Sequence, residues 1–384
     1  MNLAAIILGL LAVAGLVQAL AARRALGRMF GRVPPAGPAL PASVLKPLHG
    51  NEPGLELHLS QALAQQHAAP YEVLFAVANP ADPARAVAEA AMARSPTPSR
   101  LLAGGEVLGA NRKVSQQVHM ARVAKYPVLV AADSDMACPP HWLTTVTAPL
   151  SDPEVGLVTC LYAGLPADDG PWSELAALSI NWHFLPNAAL GESLGAADGA
   201  YGATLALRAD TLARIGGYER LLPLLADDHA LGEAVRELGL KVVVPPILPG
   251  HVMHEPSFQA LWAHELRWAR TTRLVHPWGH VGLIFTHPLP FALMALAAAP
   301  GAWTLALLGA VLLARGALAR RADVLTGRPR WRRMLWLPIR DLLSFAVWAT
   351  ALHKGRVTWQ GRRFTLGAGG RMAEAPEPTR EAVS

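Results

Sequence analysis

The first apolar segment of the chain covers residues 3–22, in which Gln18 is the only strongly polar side chain. As a helix, a segment of this length crosses the ~30 Å hydrocarbon core of a bilayer. Four arginines follow it directly, at Arg23, Arg24, Arg28 and Arg32. A cleaved signal peptide carries its positive charge before the apolar run instead. We therefore predict an uncleaved membrane anchor over residues 1–32, with the chain that follows on the cytoplasmic side.

A second apolar region begins near residue 281. Residues 281–299 and 301–319 each approach spanning length, and the sequence APG separates them. Seven arginines follow between Arg315 and Arg333. Because basic segments are retained on the cytoplasmic side, the region predicts a transmembrane hairpin over residues 281–319.

The last apolar segment, residues 335–352, is interrupted by Pro338, Arg340 and Asp341 and is followed by further basic residues. A full crossing would leave those basic residues on the outside. We expect a re-entrant or interfacial segment over residues 335–366. Residues 367–384 are rich in Gly, Pro and Glu and predict a disordered tail.

Between the apolar ends, residues 40–254 alternate between two periodicities. Short apolar runs typical of strands covered on both faces occur at 42–48, 72–78, 126–133, 155–162 and 241–246. Helical patterns lie between them at 54–66, 82–94 and 112–124. This alternation predicts an α/β domain with a mainly parallel sheet, in which ligands bind beyond the carboxyl ends of the strands.

Composition narrows the class of partner. The chain has 52% hydrophobic residues, 16% charged residues and a net charge of +6. An excess of positive charge is typical of proteins that bind nucleic acid, an anionic membrane or a phosphorylated ligand. The high share of hydrophobic residues favours a membrane over nucleic acid as the partner. The only cysteines, Cys138 and Cys160, are too few for a disulfide framework or a zinc cluster and fit a reducing, cytosol-facing compartment.

Two carboxylates, Asp133 and Asp135, follow the apolar run at 126–132. An Asp-Ser-Asp sequence is also a common turn, so the pair by itself leaves both interpretations open. At the end of a buried strand, two hard oxygen ligands suit a Mg²⁺ or Mn²⁺ ion that bridges a diphosphate.

An aspartate pair and a lysine are further candidates for a cleft at the carboxyl ends of the strands. Asp227 and Asp228 precede an amphipathic helix, where one could cap the helix and the other act as a general base. Lys113 lies at a predicted helix start, where backbone amides also favour anions, although an ordinary solvated lysine is the alternative. Three histidines, at His183, His251 and His254, are weaker candidates for contact with an acceptor or a metal.

These motifs together resemble glycosyltransferase family 21, the ceramide glucosyltransferase-like group. The resemblance rests on SVLKPLHGNEP, DPA, ADSD, GLVTCLY, ADDHALGEAV and HELRWAR over about residues 40–290, and on VTWQGRRFTL near the end of the chain. Within the family, the sequence looks most like the bacterial hopanoid-biosynthesis branch. The resemblance implies a GT-A catalytic domain over residues 40–254, facing the cytoplasm on a bacterial inner membrane, and an interfacial helix over residues 255–280.

The family pattern implies roles for individual residues. The first aspartate of the pattern matches Asp82, implied to bind the nucleotide, although Asp82 can also cap a helix. The second matches Asp133, implied to bind nucleotide and metal, with Asp135 completing the metal pair. The third matches Asp228, implied to be the catalytic base. Glu52, at the end of the first strand unit, is a further candidate for the nucleotide pocket.

The last family motif matches HELRW and gives His264, Arg267 and Trp268 as substrate-binding residues. Two positions depart from the pattern. His264 stands where Gln or Arg is usual, and Asn79 stands where related enzymes commonly carry a carboxylate. Arg267 suits phosphate oxygens or lipid head groups, and Trp268 could equally anchor the helix in the membrane interface.

The predicted function is transfer of a sugar, with inversion, from UDP-GlcNAc to the hydroxyl of a bacteriohopanetetrol-type membrane lipid. A ceramide glucosyltransferase that uses UDP-Glc is the nearest alternative. A processive polysaccharide synthase would need more membrane-spanning helices than this chain predicts. A non-catalytic membrane tether would not require a general base beside a metal site. The sequence leaves open the sugar, the choice of Mg²⁺ or Mn²⁺ and the oligomeric state.

Overall fold

The computed structural model describes residues 2–34, 37–353, 357–359, 362–366 and 371–374. The helices are α1 (Leu3–Met29), α2 (Leu55–Leu63), α3 (Ala84–Ala93), α4 (Arg112–Val123), α5 (Trp142–Thr147), α6 (Pro171–Ser179), α7 (Leu185–Ser193), α8 (Ala209–Arg214), α9 (Asp227–Glu237), α10 (Phe258–Val275), α11 (Pro277–Gly282), α12 (Pro288–Ala298), α13 (Ala302–Leu325) and α14 (Leu337–Ala351). The strands are β1 (Ala42–Leu48), β2 (Tyr71–Val77), β3 (Ser99–Ala103), β4 (Val128–Ala132), β5 (Met136–Ala137), β6 (Val155–Thr159), β7 (Ala163–Pro166), β8 (Thr204–Arg208), β9 (Lys241–Val243), β10 (Gly250–Met253), β11 (Val357–Trp359), β12 (Arg362–Leu366) and β13 (Met372–Glu374).

The central sheet has seven strands in the order β3-β2-β1-β4-β8-β6-β9. Strands β3, β2, β1 and β4 are parallel, β8 is antiparallel to both β4 and β6, and β6 is parallel to β9. A second sheet, β5-β10-β7, lies beside the carboxyl end of β4. The prediction of an α/β domain with a mainly parallel sheet is confirmed.

Helices cover both faces of the central sheet, which explains the continuous apolar runs of its strands. All seven residues of β1 and all five of β4 are buried. Val44 and Leu48 face the layer of α2, α3 and α5, whereas Leu45 faces the layer of α4, α8 and α9. Lys46 is the one charged residue of β1, and its side chain is fully buried.

Helix α1 packs through a stripe of small residues against α12 and α13. The stripe recurs every three or four positions and comprises Ala5, Gly9, Ala12, Gly15, Ala19 and Ala22. Small residues at this spacing allow apolar helices to approach closely. The opposite face exposes large apolar side chains such as Leu10 and Val17.

In the described residues, α1 and α13 are each long and apolar enough to cross a membrane. The prediction of apolar helices near both ends is therefore confirmed.

The transmembrane hairpin over residues 281–319 stays a prediction, and its first arm is bent in the structure. That arm is not one helix: the segments Pro277–Thr286 and Pro288–Ala298 are bent by 60° relative to each other. The break falls at His287, which has φ −118° and ψ 56°. A residue before proline is disfavoured in the helical region, and the proline itself lacks the N–H that would continue the helix. The second arm is α13, which extends past the predicted end to Leu325.

Buried ion pairs hold the C-terminal helices to one another and to α6. Arg315 of α13 donates to both carboxylate oxygens of Asp341 in α14, at 2.7 and 2.8 Å, and Arg333 contacts Glu174 of α6 at 2.5 Å. Arg315 and Arg333, two of the seven arginines counted in this region, are therefore interior ion-pair partners. Charges inside apolar segments are costly unless they are paired in this way.

The segment predicted as re-entrant or interfacial, residues 335–366, contains α14 and strands β11 and β12; its residues 354–356 and 360–361 lie outside the described part. Strand β13 pairs with β12, and the Met372 N–H donates to the Pro223 carbonyl at 2.8 Å. The predicted disordered tail is therefore corrected over residues 371–374, because backbone pairing orders them. Its residues 367–370 and 375–384 lie outside the described residues.

Candidate active site

The turn after β4 carries Asp133 and Asp135 and is fixed by its neighbours. The Met136 N–H donates to the Asp133 carbonyl at 3.3 Å, and the Val252 N–H of β10 donates to the Asp135 carbonyl at 3.0 Å. The Lys46 ammonium donates to the Asp133 carbonyl at 2.8 Å. Asp133 and Asp135 are thus part of a turn, and that turn holds two carboxylates at the carboxyl end of the central parallel strands.

Two basic side chains contact this carboxylate pair. The Lys113 Nζ lies 2.7 Å from Asp133 Oδ1, and the His251 Nε2 lies 2.9 Å from Asp135 Oδ2. Burial disfavours the charged form of Lys113, but the negative charges of Asp133 and Asp227 raise the pKa of Lys113 well above the usual range. Burial likewise opposes the charge of Asp135, yet His251 lowers the pKa of Asp135 to about 2. Burial has the opposite outcome at Asp133, where it raises the pKa despite the nearby Lys113. Each carboxylate nevertheless has a basic partner from a distant part of the chain.

Glu52 adds a third carboxyl group to this cluster. Burial, followed by the charge of Asp135, raises the pKa of Glu52 to about 7. The Glu52 Oε2 and Asp135 Oδ1 atoms are both buried without a hydrogen-bond partner among the described residues. Buried oxygens without donors are costly, and oxygen donors of this kind suit a hard divalent cation. These two oxygens thus suit the Mg²⁺ or Mn²⁺ ion that the sequence pattern implies, with Asp135 and Glu52 as available ligands, whereas Asp133 is paired with Lys113.

Asp227 and Asp228 both lie in the first turn of α9, after the N-cap residue Ala226. The Asp228 Oδ1 accepts a hydrogen bond from the His229 N–H of that turn at 2.8 Å. Asp227 lies 3.8 Å from the Lys113 Nζ. Asp228 packs against Gly202, where an added Cβ would stand 2.9 Å from its Oδ2 atom. Burial, followed by the charge of Asp227, raises the pKa of Asp228 to about 6. A carboxyl group with this pKa can accept a proton near neutral pH.

Asp82 is bound by the loop that follows β1. Its Oδ1 accepts hydrogen bonds from the Gly50 and Ala84 N–H groups, both at 2.9 Å, and its Oδ2 lies 3.2 Å from His49 Nδ1. Helix α3 begins at Ala84, so Asp82 both satisfies the helix start and fixes the loop leading to Glu52. Its nucleotide-binding role stays a prediction.

The HELRW sequence lies on α10 and presents its aromatic side toward the carboxylates. The His264 Nδ1 lies 2.6 Å from the buried Glu255 carboxylate. The Trp268 ring contacts His264 edge to face at 4.4 Å and lies 5.8 Å from the His251 ring. The chain His264–Trp268–His251 therefore connects this helix to Asp135.

Arg267 is the cation of HELRW. Burial lowers the pKa of Arg267, which nevertheless stays a cation. In the part of the chain that the structure describes, its guanidinium has no hydrogen bond or ion pair. The charge of Glu255 acts on this half-buried guanidinium from beyond ion-pair distance, so its N–H groups are available for a bound phosphate or head group.

The sequence patterns did not indicate several residues of the site. His251 was a weak candidate, yet of the three weaker histidines only this one contacts the Asp133–Asp135 pair; His183 contacts Asp341 at 3.0 Å, and His254 contacts Asp168 at 3.0 Å. Glu255, the partner of His264, gave no sequence pattern. Lys46 could have been noticed as the lone charge within an apolar strand.

Comparisons with known proteins place these features in a family. The family model described as glycosyl transferase family 21 matches residues 4–372. Ceramide glucosyltransferase 1 of Caenorhabditis elegans is 26% identical over 223 residues, which cover 56% of this chain and 46% of that protein. The chain thus spans about half the length of this curated relative.

Among solved structures, a mannosyltransferase of Pyrobaculum calidifontis in complex with GDP-Man and Mn²⁺ is 20% identical, with 90% of this chain and 99% of that chain covered and a TM-score of 0.49. Glucosyl-3-phosphoglycerate synthase of Mycobacterium tuberculosis, in complex with Mg²⁺ and UDP, is 16% identical, with 61% of this chain and 78% of that chain covered and a TM-score of 0.37.

The family match extends over nearly the whole chain and includes the apolar helices as well as the catalytic domain. With the order of the central sheet, it confirms the predicted GT-A domain. The match covers the carboxylate turn, the Asp228 helix and HELRW, and the chain belongs to glycosyl transferase family 21.

Proposed function

We propose that this enzyme transfers a sugar, with inversion, from a UDP-sugar to the hydroxyl group of a membrane lipid. The observation that carries the proposal is the convergence of Lys113 on Asp133 and Asp227, which brings the proposed base, Asp228, and the carboxylate turn into one cleft. A site of this composition provides anion-neutralising cations and a carboxylate base together.

The donor would bind through its diphosphate. When bound to Asp133, Asp135 and Glu52, a Mg²⁺ or Mn²⁺ ion neutralises negative charge that develops on the leaving diphosphate. Lys113 is placed to add a second positive charge, and Arg267 is free of ion pairs in the described residues. Asp82 is proposed to position the nucleotide by fixing the loop that ends at Glu52.

The transfer step is assigned to Asp228. Its carboxylate takes the proton of the acceptor hydroxyl while that oxygen attacks the anomeric carbon. The bond between the anomeric carbon and the diphosphate oxygen breaks, and UDP leaves with the electron pair. A single displacement inverts the anomeric centre, so an α-linked donor gives a β-glycoside.

The acceptor is proposed to be a lipid because the catalytic domain is joined to α1 and α13, which suit a bilayer. The head group would reach the cleft along α10, past His264, Arg267 and Trp268. We assign UDP-GlcNAc and a bacteriohopanetetrol-type lipid as donor and acceptor, with the domain on the cytoplasmic face of a bacterial inner membrane. The second candidate, ceramide with UDP-Glc, is favoured by the similarity to ceramide glucosyltransferase 1.

The test is transfer of labelled sugar in membranes that contain the protein. UDP-GlcNAc and UDP-Glc are each offered with bacteriohopanetetrol and with ceramide, in Mg²⁺ or in EDTA. Labelled hopanoid from UDP-GlcNAc, abolished by EDTA, supports the first assignment, and labelled ceramide from UDP-Glc supports the second. Asp228→Asn should abolish transfer and keep UDP-sugar binding; normal turnover in this variant would refute the base assignment.

A further inference from the structure

A group of three metal-ligating side chains lies outside the carboxylate cleft. Asp198 comes from the loop between α7 and β8, His229 from the first turn of α9, and His276 from the junction of α10 and α11. One ligand atom from each lies within 4.8 Å of the others. In the described residues this is the one set of three histidine, cysteine or carboxylate side chains with that spacing.

Two of these side chains are already in contact. The Asp198 Oδ1 lies 2.8 Å from the His276 Nε2, and the rings of His229 and His276 meet edge to face with centroids 4.6 Å apart. Two imidazoles and one carboxylate, with room for solvent at the exposed side, form a donor set that suits Zn²⁺ and related transition metals.

The backbone around the group fixes the position of two ligands. An added Cβ on Gly199 would lie 2.2 Å from the His229 Nδ1, so only glycine lets this ring lie against the loop. The Arg236 guanidinium donates to the carbonyl oxygens of Asp198 and Gly199, each at 2.7 Å. These bonds hold the loop against α9 and leave the Asp198 carboxylate for His276.

The third ligand is held at a helix junction. The His276 N–H donates to the Thr272 carbonyl at 2.8 Å, and its own carbonyl accepts from the His280 N–H at 2.8 Å. Pro277 follows and sets the start of the next helix. His276 is therefore anchored to α10, which carries HELRW, whereas His229 is the neighbour of Asp228 on α9.

We propose that Asp198, His229 and His276 bind a transition-metal ion of the Zn²⁺ type, separate from the Mg²⁺ or Mn²⁺ ion of the sugar-donor site. The bound ion ties α9 to the end of α10. It thereby fixes the spacing between the helix of the proposed base and the helix that faces the acceptor. The binding itself does not depend on the proposed function.

The experiment uses the full-length protein in detergent, treated with EDTA, dialysed and then supplied with excess Mg²⁺ to occupy the oxygen-ligand site. Co²⁺ is titrated as the probe, because its d–d absorption differs between four-coordinate nitrogen-containing sites and six-coordinate oxygen sites. We expect one equivalent with the four- or five-coordinate spectrum, displaced by Zn²⁺. His276→Gln and His229→Gln should each weaken binding by at least about 100-fold, since even the loss of an outer-shell partner costs 10–100-fold.

Two controls separate this site from others. His254→Gln removes a histidine that pairs with Asp168 elsewhere, and Asp133→Asn removes a ligand of the donor site; both should keep the Co²⁺ spectrum. Zn²⁺ should raise the Tm of the unmodified protein and of both controls, but not of His276→Gln. Absence of the spectrum in the unmodified protein, its retention in His276→Gln, or its loss in Asp133→Asn would each overturn the proposal.

Discussion

The Glu265 carboxylate and the Arg340 guanidinium form two parallel hydrogen bonds, at 2.6 and 2.7 Å, inside the protein. Arg340 is fully buried and Glu265 is 7% exposed. Arg340 also donates to the Leu175 carbonyl at 3.0 Å. Because Glu265 lies within HELRW, this pair fixes the helix of Arg267 against α14 and α6.

We expect Arg340→Met to destabilise the protein strongly, because it leaves the Glu265 carboxylate buried and unpaired. Breaking one side of a buried pair typically costs about 3–5 kcal/mol. Thermal unfolding in detergent measures the loss. The double variant Glu265→Met/Arg340→Met should recover much of it, since an apolar pair can replace a buried ion pair.

The matched control is Arg85→Met, which breaks the exposed pair Arg85–Glu89 at 2.8 Å. An exposed pair of this kind is worth about 0.3–0.5 kcal/mol, so its Tm should hardly change. If Arg340→Met unfolded no more easily than this control, the pair would not be what fixes α10.

The pKa of Asp228, about 6, predicts the acid limb of the pH–activity profile. A general base must be deprotonated, so transfer should be half-maximal near pH 6 and fall about tenfold per unit at lower pH. Burial and Asp227 both raise this pKa, and Asp227→Asn removes the second cause. The acid limb of Asp227→Asn should therefore move to lower pH. Initial rates at saturating donor measure this, and a limb that stays in place or moves to higher pH would contradict the assignment.

Lys113 neutralises Asp133 and lies beside Asp227, so its charge should matter for the departure of the diphosphate. We expect Lys113→Gln to lower kcat by about 10²–10³-fold, the usual effect of removing one electrostatic donor. Single-turnover transfer from labelled UDP-sugar gives the rate. Lys125→Gln, which alters a lysine over the Tyr126 ring, is the control and should keep normal turnover. Equal rates in the two variants would remove Lys113 from the site.

The close approach of α1 to α12 depends on Gly15. An added Cβ there would lie 2.8 Å from the Phe285 carbonyl oxygen and 2.9 Å from the Pro288 Cβ. Gly15→Ala should therefore cost about 1–3 kcal/mol through overpacking and lower the Tm in detergent. Gly309→Ala, in α13, has no atom within 4 Å of the added Cβ and should leave the Tm unchanged or slightly higher. The idea of tight packing fails if Gly15→Ala is as stable as Gly309→Ala.

Local patterns were sufficient for much of the fold and for part of the site. The apolar runs predicted β1, β2, β4 and β6, because a strand covered on both faces must be apolar throughout. The run at 241–246 also predicted β9, although β9 is a partly exposed edge strand. They also indicated the apolar helices near both ends, because the bilayer sets a minimum length. The carboxylates after β4 could be placed in a cleft, since the carboxyl ends of parallel strands meet at one edge.

The sequence by itself determined which segments are apolar and roughly where the strands lie, and the positions of the Asp133–Asp135 and Asp227–Asp228 pairs follow from those local features. The predicted runs 155–162 and 241–246 extend three residues past the ends of β6 and β9. Only the tertiary structure decided that His251 pairs with Asp135, that Lys113 joins Asp133 to Asp227, and that Glu265 pairs with Arg340. The physical reason is that a periodic pattern reports burial within one element. A hydrogen bond between residues 75 or 116 positions apart depends on how separate elements pack.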